Sequence, residues 1–119
     1  MNKRILVAED DAFLAETIQL ELQEHGIRAE MARNGEQAIE QIEKALPDLL
    51  LLDLLMPKMD GYGVLSHIKE KGYLFPVVIL SNLSDDLDKE KCLSLGAKNY
   101  FIKSDMDEDE LWPMIQEYL

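Results

Sequence analysis

The chain has 119 residues, 47% of them hydrophobic, which is one domain's worth of sequence with enough apolar material to fill a core; this excludes a disordered segment. Its 24 acidic against 12 basic residues give a net charge of −12, which argues against gripping nucleic-acid phosphates or an anionic membrane and leaves room for a cation or a basic partner surface. No stretch reads as a secretory signal or is long enough to cross a bilayer, and the single Cys92 excludes an internal disulfide and fits a reducing, cytoplasmic location.

Lys3 to Ala8, KRILVA, is a short branched apolar run and reads as a buried strand. DAFLAETIQLELQEHG follows, with Leu14, Ile18 and Leu22 at four-residue spacing, so a helix that Gly26 closes in a left-handed cap. IRAEMA alternates and suggests a second, less buried strand. GEQAIEQIEKAL carries Ala38, Ile39, Ile42 and Leu46 at helical spacing, and Pro47 ends it. DLLLLD is too short and too uniformly apolar for a surface helix and reads as a central strand. GYGVLSHIKEKG is a third helix capped by Gly72, and FPVVILS a β-branched fourth strand. DDLDKEKCLSLG is a fourth helix ending at Gly96, NYFIK a fifth strand, and DEDELWPMIQEYL a last helix. Pro113 inside that helix removes a hydrogen bond and should kink it or delay its start.

Five alternations of strand and helix predict a parallel sheet between helices with right-handed crossovers. The functional crevice of such a sheet lies at the carboxyl ends of its strands. There stand Glu9, Asp10 and Asp11 after the first strand, Asp53 after the third, Ser81 after the fourth and Lys103 after the fifth. Asp53 is flanked by leucines, and an unpaired ion buried in such a run would cost several kcal/mol. At a strand end it instead converges with Glu9 and Asp10. Three carboxylates at close range destabilise one another unless a cation neutralises them, and an all-oxygen set suits magnesium. A hydroxyl from Ser81 and an ammonium from Lys103 would cradle phosphoryl oxygens, and a carboxylate nucleophile beside a metal is what phosphoryl transfer to aspartate requires. Singly these signals are weak: EDD after a strand is a common solvated helix cap, and Asp60-Gly61 is ordinarily a turn. Their conjunction at one end of four strands carries the reading.

ILVAEDD, DLLLLDLLMPKMDGYGVL, VVILSNL and GAKNYFIKS resemble, in order and over nearly the whole chain, the receiver domain of two-component response regulators. The resemblance implies a flavodoxin-like (βα)5 three-layer sandwich, a doubly wound parallel sheet of order 2-1-3-4-5 over residues 1–119, with no output domain. It implies that Asp53 accepts a phosphoryl group from a histidine kinase or a histidine phosphotransfer protein. Asp10 and Asp53 would ligate Mg2+ directly, Glu9 through water, and the Leu55 backbone carbonyl would add a further ligand. Ser81 and Lys103 would bind phosphoryl oxygens. Tyr100 matches the switch aromatic, whose ring turns inward as the serine moves towards the phosphoryl group, and Asp11 caps the first helix. The face made by the fourth helix, fifth strand and fifth helix would contact a downstream protein of unspecified identity or, weakly, a second copy; neither nucleic acid nor membrane is expected to bind directly. Leu55 and Leu83, two places after the phosphoacceptor and the hydroxyl, would flank the path of a hydrolytic water and gate dephosphorylation. Ser104 and Asn82 stand where the family usually has proline and a small alanine; the cis peptide common before that proline costs ~3 kcal/mol without it. The rival reading is a magnesium-dependent phosphatase or phosphotransferase using Asp53 as nucleophile, but position 55 is leucine where such enzymes place a second carboxylate, and they usually add a cap domain.

Overall fold

The structure, a computed structural model, describes residues 3–105 and 107–119. β1 (Arg4–Ala8), β2 (Arg28–Ala32), β3 (Leu49–Leu52), β4 (Val77–Ser81) and β5 (Asn99–Ile102) form one sheet, paired in the order β2-β1-β3-β4-β5 and parallel throughout. The helices that alternate with them are α1 (Ala12–Glu24), α2 (Gly35–Lys44), α3 (Gly61–Lys71), α4 (Asp86–Ser94) and α5 (Glu108–Gln116). This is the expected doubly wound sandwich.

Alternating strand residues feed two cores, because successive side chains leave a strand on opposite faces. Leu6, Leu50, Leu52 and Ile79 pack with Ala38 and Ile42 of α2, Val64, Leu65 and Ile68 of α3 and Cys92 of α4. Ile5, Val7, Leu49, Leu51 and Val78 pack with Ile18 and Leu22 of α1 and Leu111, Met114 and Ile115 of α5. β3 is covered on both faces, so all four of its leucines are buried. Burying a leucine is worth roughly 1.5–3 kcal/mol, and that double coverage explains the unbroken apolar run. Edge strand β2 is less buried, as its alternation suggested.

Caps set most of the helix boundaries. Asp11 caps α1, its carboxylate accepting from the Phe13 and Leu14 amides. Gly26 and Gly72 follow α1 and α3 with φ of 71° and 70°, the left-handed conformation that favours glycine. Three boundaries differ from the sequence expectation. α2 stops at Lys44, before the turn that would have carried Leu46 inward, and Leu46 is exposed. Lys103 falls just past β5, in a 3-10 turn over Lys103–Asp105. α5 is already formed from Glu108 and runs through Pro113, so the delayed start does not occur. No cis peptide is found among the described residues, and the Lys103–Ser104 bond is trans. Trp112 of α5 stacks on His25 beyond the end of α1, ring centroids 3.8 Å apart and planes within 2° of parallel.

Candidate functional site

The carboxyl ends of β1, β3, β4 and β5 meet in one place. Glu9 and Asp10 leave β1, and the Asp53 amide donates to the Ala8 carbonyl at 3.0 Å, extending the β1–β3 ladder to the acid itself. Glu9 and Asp53 are buried, whereas Asp10 is exposed at the rim. Carboxylate oxygens of Glu9, Asp10 and Asp53 lie within 4.8 Å of one another. Such a set of hard oxygen donors, two sunk and one at the mouth, fits a small divalent cation that keeps part of its water shell.

Lys103 is the counter-charge. Its Nζ lies 2.5 Å from Glu9 Oε1 and 3.2 Å from Asp53 Oδ2. Burial works against the charged ammonium, but the bonds to Glu9 and Asp53 outweigh it and raise the lysine above its usual range. Glu9 moves up to about 7, chiefly through desolvation, with Lys103 pulling it down and Asp53 pushing it up. One lysine therefore serves two buried acids and does not neutralise all three. The sequence reading reserved Lys103 for phosphoryl oxygens; its pairing with Glu9 was not foreseen.

The loop after β3 is built closely around Asp53. The Leu55 amide donates to Asp53 Oδ1 at 3.3 Å, while the Leu55 side chain points outward, 56% exposed. Asp60, in the Asp-Gly pair read as a plain turn, is the N-cap of α3, accepting from the Gly63 amide at 3.0 Å. Gly61 donates to the Leu54 carbonyl at 2.9 Å, and a Cβ there would lie 2.5 Å from the Asp53 carbonyl oxygen. Only glycine lets the loop turn so close to the aspartate.

Ser81, fully buried at the end of β4, accepts the Leu83 amide on Oγ at 3.2 Å. Tyr100 of β5 is turned inward, 8% exposed, and its hydroxyl donates to the Leu83 carbonyl at 2.6 Å. Ser81 and Tyr100 thus hold the same residue at its two ends. The Leu83 side chain is half-buried against the core.

Five parallel strands in this order, with acids, a hydroxyl and a lysine at their carboxyl ends, define a doubly wound α/β domain whose polar site sits beside the central strand. The family model described as response regulator receiver domain matches residues 5–116. The chain belongs to that family, the switch domains of two-component signalling. It is 35% identical to the alkaline phosphatase synthesis transcriptional regulatory protein PhoP of Bacillus subtilis over 87% of this chain and 43% of that protein. It is 38% identical to the transcriptional regulatory protein DltR of Streptococcus agalactiae over 95% of this chain and 50% of that one. The chain thus spans about half the length of these curated relatives. Among solved structures, the receiver domain of the Francisella response regulator 1452 superposes with a TM-score of 0.91 at 31% identity, covering 98% of this chain and 96% of that one. A Borrelia burgdorferi CheX–CheY complex with BeF3 and magnesium gives 0.89 at 26% identity, covering 97% and 87%. Among the described residues no helix is long and apolar enough to cross a membrane.

Proposed function

We propose that Asp53 is the phosphoacceptor, taking its phosphoryl group from a phosphohistidine on a histidine kinase or histidine phosphotransfer protein. A carboxylate oxygen of Asp53 bonds to phosphorus as the phosphorus–nitrogen bond breaks, and the histidine nitrogen keeps the electron pair. What supports this is the placement of Asp53 at the end of the central strand, among Glu9, Asp10 and Lys103. Asp10, Asp53 and the Leu55 carbonyl would hold Mg2+ directly and Glu9 through water; when bound, the ion offsets charge on the phosphoryl oxygens. The chain's own catalysis is limited to gaining and losing this one group on itself.

The residues around the acceptor have defined tasks. Converting one Asp53 oxygen to the bridging oxygen of an acyl phosphate weakens its pair with Lys103, and the ammonium is 3.2 Å away and ready to follow the charge onto a phosphoryl oxygen. Ser81 uses an oxygen lone pair for the Leu83 amide, so turning its O–H towards Asp53 would let it donate to a second phosphoryl oxygen. Moving Ser81 in that direction draws on the Leu83 amide, whose carbonyl Tyr100 holds. The added charge, roughly −1.5 to −2, would thereby reach α4, β5 and α5, the face offered to a downstream protein or, weakly, to a second copy. Leu55 and Leu83 would screen the acyl phosphate from water.

The test is incubation with a small acyl-phosphate donor and magnesium, followed by borohydride trapping and peptide mapping. A single adduct on Asp53, absent from Asp53→Asn, is expected. Modification of Asp53→Asn at the wild-type rate would overturn the assignment.

A further inference from the structure

α4 has little to hold it. Its sequence, DLDKEKCLS, is mostly charged, and of its residues only Cys92 is buried. Lys69 of α3 reaches the Ser94 carbonyl at 3.4 Å, a long contact at the helix's last residue. Among the described residues, the other side-chain tie to α4 comes from Tyr62, the second residue of α3. Its hydroxyl donates to Asp88 Oδ1, and the ammonium of Lys91 sits 4.2 Å from the centre of its ring. Asp88 and Lys91 stand one helical turn apart. One tyrosine therefore answers both charges, the anion through its O–H and the cation through its π-face. The ring is half-buried and packs against the core on the α2–α3–α4 side. Burial, together with the bond to Asp88, pushes the Tyr62 phenol above its usual range, so it stays a donor at any physiological pH.

The position of this tie gives it meaning. Tyr62 follows Gly61, whose backbone lies against the Asp53 carbonyl and bonds to Leu54. The tie is thus anchored at the phosphoacceptor loop and ends in the middle of α4. Tyr100 meanwhile holds Leu83, in the segment leading into α4. Both holds exist together, in the arrangement with Tyr100 turned inward. A contact biases a two-state element only by its difference between the states. α4 is the element the proposed switch moves, and a tie from a fixed helix to its middle is sensitive to that movement.

We propose that Tyr62 is a positioning residue that clips α4 in the Tyr100-inward arrangement and so favours the phosphorylated state of the switch. This rests on the phosphoacceptor reading above and adds a control point that touches neither metal nor phosphoryl group. Losing the clip releases α4 and makes activation harder, although the site at Asp53 stays intact.

The experiment is a beryllofluoride titration of the full chain with magnesium, followed by amide NMR, alongside thermal melts without beryllofluoride. Tyr62→Phe and Asp88→Ala are expected to weaken apparent beryllofluoride binding by about tenfold or more, the size of one charge-assisted hydrogen bond made in only one state. Asp88→Asn should recover most of the loss, because its amide oxygen still accepts the tyrosine proton. A lower melting temperature with unchanged or tighter beryllofluoride binding would make the tie merely structural and overturn the proposal. If the wild-type chain itself fails to respond to beryllofluoride, the phosphoacceptor reading fails and the clip falls with it. A normal wild-type response with identical variants would sink the clip alone.

Discussion

Asp10→Asn should stabilise the metal-free protein. The three carboxylates of the site lie within 4.8 Å of one another, and the lysine that answers them contacts Glu9 and Asp53. At 4.8 Å, two unit charges repel by about 3.5 kcal/mol at an effective dielectric of 20 and by about 0.9 kcal/mol in water. Asp10 is exposed, which places its pairs near the lower figure, and Glu9, raised to about 7, is only partly ionised at neutral pH. Removing the Asp10 charge therefore relieves about 1–2 kcal/mol, or roughly 4–8 °C in melting temperature for a domain of this size. Thermal melts at pH 7.5, in chelator and in millimolar magnesium, check it. The variant should melt higher than the parent in chelator and gain less from magnesium, because a proposed ligand has gone. A variant that melts at or below the parent in chelator would refute the reasoning: the acids would not be in mutual repulsion.

Gly61→Ala would drive a Cβ against the Asp53 carbonyl, so it should cost about 1–3 kcal/mol in a denaturant melt and slow acyl-phosphate labelling; parental behaviour in both assays would show that the loop has room to spare. Leu55→Asn with Leu83→Glu should shorten the life of the phosphorylated form in magnesium, since both new side chains can orient a water. Decay no faster than the parent's would remove the leucines as a gate. Glu43 is held below the ordinary glutamate range first by the bond to His67 and then by the Tyr73 hydroxyl, at 2.6 and 2.7 Å. A lowered carboxyl contributes stability at neutral pH that is lost as pH falls through its folded-state midpoint. Carboxyl NMR should therefore find Glu43 titrating low and Tyr73→Phe moving it back up; an unmoved midpoint would count against the phenol's part.

The alternation of apolar runs with helical periods was enough to place every strand, and with them Glu9, Asp10, Asp53 and Ser81 at one end of the sheet. Burial periodicity is a local signal, and these residues are fixed by the strands that carry them. Contacts between elements were not legible. Lys103 paired with Glu9 across the sheet depends on where the chain turns after β5. The Tyr62–Asp88 bond spans 26 residues and depends on how two helices sit side by side. Gly61 looked like half of a turn because its neighbour in space, the Asp53 carbonyl, is eight positions away in sequence. Leu46 fitted the helical spacing of α2, yet the helix ends at Lys44 and Ala45 is already extended.

The Leu83 peptide groups are gripped at both ends, by Ser81 at the amide and Tyr100 at the carbonyl. Whatever passes between those two side chains travels through main-chain atoms, which every residue but proline supplies alike. The side chain at 83 is then free of that duty, so its proposed part in screening the acyl phosphate could be altered by substitution with the Ser81–Leu83–Tyr100 connection left in place. On the proposed reading, duration and transmission would be separate settings on a single residue. Proline, which lacks the amide hydrogen that Ser81 accepts, is the one replacement that would change both at once.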